Sequence, residues 1–114
     1  MIFEILSKYT SVISDYQVIK YRFFETSYEI VLKIMIKDNS ILFIRDYLFA
    51  ESKRKYSFHW QNSDGDCICR WDNVPHHQDT STFPFHKHVG KAEIVEGSEV
   101  MNIDKTLHFI SNHL

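Results

Sequence analysis

The rhythm of hydrophobic and polar positions changes several times along this chain. Ile2, Phe3, Leu6, Tyr9 and Ile13 recur at near-helical spacing, which predicts a short N-terminal helix over residues 2 to about 13. From Tyr16 the period shortens, and Tyr16, Val18, Tyr21 and Phe23 predict a β-rich segment ending near Glu25-Thr26. Between Tyr28 and Lys37 the alternation is regular: Ile30, Leu32, Ile34 and Ile36 face one way, Glu29, Lys33 and Lys37 the other. Asp38-Asn39 reads as a tight turn. Ile41 to Phe49 is the next strand, with Leu42, Ile44, Asp46 and Leu48 on one side and Arg45 and Tyr47 on the other. In Lys53 to Gln61, Tyr56, Phe58 and Trp60 alternate with Lys55, Ser57, His59 and Gln61. Ser63-Asp64-Gly65 turns the chain again, and Cys67 to Asp72 is the last strand read.

Strands joined by such short connections are antiparallel neighbours, so the series predicts a meander. Residues 73 to 92 lose the alternation and hold both prolines, Pro75 and Pro84, and four of the seven histidines; they read as a long, functional loop. Asn102 to Ile110 predicts a C-terminal helix with Ile103, Leu107 and Ile110 as its apolar stripe and Asn102 or Asp104 as its cap. The expected fold is a single α+β domain over residues 1–114. It is an antiparallel five-stranded meander sheet with N- and C-terminal helices and a long His-rich loop.

Composition narrows the function classes. At 44% hydrophobic and 15% aromatic residues, 114 residues suffice for one packed core and argue against disorder. A formal net charge of −2 gives no general attraction to nucleic acid, so any such binding needs a local patch. Cys67 and Cys69 share a strand face at a spacing that would strain a bridge, and read as two reduced thiols in a reducing compartment. The first residues lack the basic and apolar regions of a signal peptide. No apolar run nears the roughly 20 residues of a membrane helix, so the expectation is a cytoplasmic protein.

The unusual chemistry is concentrated in three segments: Tyr56-Ser57-Phe58-His59-Trp60, Arg70-Trp71-Asp72-Asn73-Val74-Pro75-His76-His77, and Phe83-Pro84-Phe85-His86-Lys87-His88-Val89. Strand parity puts His59 opposite Phe58 and Trp60, and puts Arg70 and Asp72 together on one side of the following strand. Arg45 and Tyr47 extend that row. Two functional readings follow. In one, His59, Arg70, Asp72, His86 and His88 perform acid–base and electrostatic chemistry on a phosphodiester. Arg45, Tyr47, Tyr56, Asn73, His76, His77 and Lys87 then hold the substrate, and no cofactor is needed. In the other, His76, His77, His86 and His88 bind zinc or another divalent transition metal. A pure binding module without catalysis is a third class. Against all of these stand plainer roles: loop histidines that satisfy turns, an Arg70–Asp72 ion pair, and aromatics that only fill a core.

The same three segments, with Arg45-x-Tyr47, resemble the TumE family of toxins from bacterial and archaeal toxin–antitoxin modules. The specific resemblance covers roughly residues 41 to 90, and the first 40 match in secondary-structure pattern. Val74 stands where the family pattern has Ala. Phe85 stands where it has a further His, which weakens a metal reading more than an acid–base one. The resemblance implies a small cytoplasmic toxin whose partner is a cognate antitoxin protein. Many toxins of this size act on RNA. An acidic antitoxin segment is expected to cover the His59, Arg70 and His88 region.

Overall fold

The computed structural model describes residues 2–50, 53–75 and 82–114. Among these, the chain forms helix α1 (Ile2–Ser7), strands β1 (Ile13–Phe24), β2 (Ser27–Ile36), β3 (Ile41–Phe49), β4 (Lys53–Gln61), β5 (Cys67–Asp72), β6 (His86–Val89) and β7 (Ile94–Gly97), and helix α2 (Ile103–Ser111). The strands make one sheet in sequence order, β1 to β7. Every neighbouring pair is antiparallel. The α+β meander therefore stands, but with seven strands rather than five. The two additional strands arise within and just after the segment expected to be a loop.

Period 2 decides which face is the core. Leu32, Ile34, Leu42, Ile44 and Phe58 are fully buried, and Tyr56, Trp60, Cys69 and Trp71 lie beside them on the same side. Both helices cover that side: Ile2 and Leu6 from α1 and Ile103, Leu107 and Ile110 from α2 join the cluster. Phe109 of α2 packs edge-to-face on Trp71, with ring centres 5.2 Å apart. Asn102 caps α2 by accepting a hydrogen bond from the Lys105 amide at 2.8 Å. A three-way contact ties the helical regions together, as Lys8 Nζ and Tyr9 Oη reach the Asp104 carboxylate at 2.7 and 2.6 Å.

A carboxylate is buried on the core face. Asp46 is met by Arg54 in a bidentate pair at 2.9 and 2.8 Å, and by the Tyr28 hydroxyl at 3.1 Å. Glu25, Asn39 and Gly65 stand at positive φ in the turns joining β1 to β2, β2 to β3 and β4 to β5. The N-terminal helix is shorter than expected. It stops at Ser7, whose hydroxyl bonds back to the Glu4 carbonyl, and the Val12 carbonyl already accepts from the amide of Lys37, just past the end of β2. Cys67 and Cys69 are free and buried, and burial pushes the Cys69 thiol up to about 12.

Candidate active site on the open face

Neither helix packs on the other side of the sheet, and register fixes what stands there. One cross-strand row runs Lys33, Phe43, His59, Arg70, His88, Val95. The next runs Val31, Arg45, Ser57, Asp72, His86, Gly97. Tyr47 and Lys55 pair beside them. All five residues expected to carry chemistry, His59, Arg70, Asp72, His86 and His88, thus share one face on three adjacent strands.

Asp72 is the hub and is almost fully buried. Its Oδ1 lies 2.8 Å from His86 Nε2 and accepts from the Val74 amide at 3.1 Å. Its Oδ2 lies 3.6 Å from His88 Nε2 and 3.5 Å from Arg70 Nε. The outer side of Arg70 meets Glu93, whose positive φ belongs to the turn between β6 and β7. His86 is held at both nitrogens, since its Nδ1 faces the Pro84 carbonyl at 3.0 Å. A carbonyl oxygen can only accept, so Nδ1 carries hydrogen. Nε2 faces a carboxylate oxygen, which is satisfied by a proton between them or by a metal cation in its place. Asp72, His86 and His88 bring one ligand atom each within 4.8 Å of one another.

His59 differs from the other two imidazoles. Burial holds its pKa below the usual imidazole value, and the Arg70 guanidinium opposite it lowers it further. At neutral pH it is therefore an uncharged ring able to accept a proton. An NMR titration is expected to place the His59 midpoint below 6.5, and Arg70→Ala should move it upward. An unchanged midpoint in that variant would show that the cation is not felt at the ring.

Beside this constellation lies an open depression of about 410 Å³, lined by Phe43, Arg45, Tyr47, Lys55, His59 and Arg70 among others. Of these, Phe43 and Lys55 escaped the sequence reading, as did Glu93. Parity on β3 and β4 was the available signal for the first two, since both alternate with core residues.

Three residues read as substrate-binding have their side chains engaged elsewhere. Tyr56 borders the depression, but it is 1% exposed and lies on the core side of β4, where its hydroxyl accepts from the Met101 amide. Lys87 pairs with Trp71 on the helix side, and its ammonium points toward Glu96. The Asn73 side chain is occupied: it accepts from the Tyr56 amide at 2.9 Å and donates to the Arg54 carbonyl at 2.8 Å, clamping β4 to the end of β5. His76 and His77 lie outside the described residues, and with them half of the four-histidine metal set.

A family model described as Toxin TumE matches residues 2–114. The chain belongs to the TumE toxin family. The match takes in the first 40 residues as well as the motif-bearing stretch, so β1 and β2, which carry none of the motifs, lie within the matched region. Comparison with curated proteins and with solved structures found no match. A TumE toxin implies an antitoxin partner. No helix among the described residues is long and apolar enough to cross a membrane.

Proposed function

We propose that this TumE-family chain poisons its host cell by cleaving RNA on the open face of the sheet. The observation that supports this most is the row His59, Arg70, His88, in which a guanidinium stands between two imidazoles on neighbouring strands. At about 4.8 Å per strand the outer residues are roughly 10 Å apart, which leaves room for one phosphate between their rings. His59, uncharged at neutral pH, takes the proton of a ribose 2′-hydroxyl as its oxygen attacks the adjacent phosphorus. The bond from phosphorus to the 5′-oxygen breaks, and His88 returns a proton to that leaving oxygen. Arg70 faces the charge that builds on the phosphate. Asp72 and His86 orient this set from below.

Induced expression without the neighbouring antitoxin frame should arrest growth and produce RNA ends carrying 2′,3′-cyclic phosphate. His59→Ala and His88→Ala proteins that still fold should do neither. Growth arrest with unaltered RNA would remove the ribonuclease reading and leave the toxin without a known target.

A second reading is favoured by the Asp72, His86 and His88 cluster, which offers two imidazoles and a carboxylate, a donor set that suits zinc and other divalent transition metals. A purified protein carrying about one metal ion per chain, with activity abolished by chelation, would replace the metal-free scheme.

A further inference from the structure

The open face carries more than the reacting groups. On β3, Phe43, Arg45 and Tyr47 alternate with the buried Leu42, Ile44 and Asp46, so an aromatic, a cation and an aromatic stand in line beside the depression. The acidic and basic side chains lining it, Arg45, Lys55 and Arg70, are all cationic. Arg70 is partly neutralised by Asp72 and Glu93. Arg45 and Lys55 have no ion-pair partner among the described residues, in a chain whose net charge is −2. Lys33 adds a further positive charge, 5.9 Å from the Phe43 ring.

Unpaired cations on a net-negative body are a site for an anion. Aromatic rings on an uncovered sheet are a site for flat apolar groups. Interleaved, they match a chain of alternating phosphates and bases. Phe43 and Tyr47 are four residues apart, about 13 Å at roughly 3.3 Å per residue, which is too far to clamp one base. Each ring instead offers its own stacking surface, with Arg45 placed for the backbone phosphates that join the two stacked bases. A duplex hides its base faces within the stack and cannot use either ring.

From this we infer that Phe43, Arg45, Tyr47 and Lys55 form a binding platform for single-stranded RNA, seating two unpaired nucleotides beside the His59–Arg70–His88 row. This platform rests on the RNA reading above, and extends it by naming the strandedness of the substrate and the groups that recognise it.

Fluorescence anisotropy of the full chain with a 2′-O-methyl oligoribonucleotide tests it, because that probe lacks the attacking hydroxyl and stays intact. The single strand should bind at least about 10-fold more tightly than its duplex. Phe43→Ala and Tyr47→Ala should each weaken it by about 5- to 150-fold, the loss of one stacked base. Tyr47→Phe, which keeps the ring, should restore most of the affinity. Arg45→Ala should lower the slope of log affinity against log salt by about 0.7, one single-strand phosphate. Equal affinity for the duplex, or full affinity in both alanine variants, overturns the platform. So does a face that ignores the probe but loses an acidic antitoxin segment on Arg45→Ala, since it then belongs to a protein partner. Cyclic-phosphate ends in cells together with indifferent alanine variants would sink the platform and leave the ribonuclease reading standing. Ring-dependent binding without any RNA cleavage would do the reverse.

Discussion

Asp72→Asn is expected to lower RNA cleavage by about 10²- to 10⁴-fold, the range for losing a positioned acid–base group. The substitution keeps the shape of the side chain but replaces one acceptor oxygen with a donor, in a pocket where His86, His88, Arg70 and the Val74 amide all converge on acceptors. Some stability should go too, about 1–3 kcal/mol for a buried group left facing the wrong partner. Activity must therefore be read well below the melting midpoint. Asp72 reaches the substrate through the side chains it positions, His88 and Arg70, so its effect should add only partly to that of His88. The double variant Asp72→Asn, His88→Ala should be faster than the product of the two single losses. Full multiplication of the two losses would mean that Asp72 acts on the substrate by its own route.

The second large effect concerns the opposite side of the sheet. Leu107 is fully buried in the middle of α2, and Leu107→Ala should cost about 2–5 kcal/mol in a denaturant titration. That is a large part of the 5–15 kcal/mol typical of a domain. Because α2 and the site lie on different faces, the variant should keep its RNA cleavage at low temperature. A loss below about 1 kcal/mol would show that α2 only rests on the sheet. A stable but inactive variant would show that the helix face and the open face are coupled.

Strands with a clean split between apolar and polar sides were legible in the sequence. Ile30 to Ile36 and Tyr56 to Trp60 show this best, because one face is buried under helices and the other is not. The capped C-terminal helix was legible for the same reason, together with Asn102. The sixth strand was not, because it buries polar side chains on the face away from the helices: His86 and His88 are 2% and 8% exposed, yet a hydropathy pattern counts them as loop residues. The seventh is exposed along its whole length and leaves no alternation to read. Within the site, parity correctly grouped His59 with Arg70 and Asp72, since it depends only on counting along paired strands. It missed the orientation of Lys87, which follows from the strand that had been taken for a loop. For Tyr56 it gave the right side, with Phe58 and Trp60, which sits poorly with the substrate-binding role also given to that residue.

The site depends on counting in another sense, which bears on how such a chain can change length. Its groups come from three strands whose side chains alternate between the two faces, so their alignment is a matter of odd and even. Residues added at Ser63–Asp64–Gly65 enlarge a turn outside the paired positions, and both rows keep their members. A single residue inserted between Arg70 and Trp71 reverses the parity of the rest of β5. Asp72 is carried to the helix side and Trp71 out into the open. Turns are therefore where homologous chains can gain or lose residues freely, whereas β4, β5 and β6 can take up an insertion only as a bulge or in pairs.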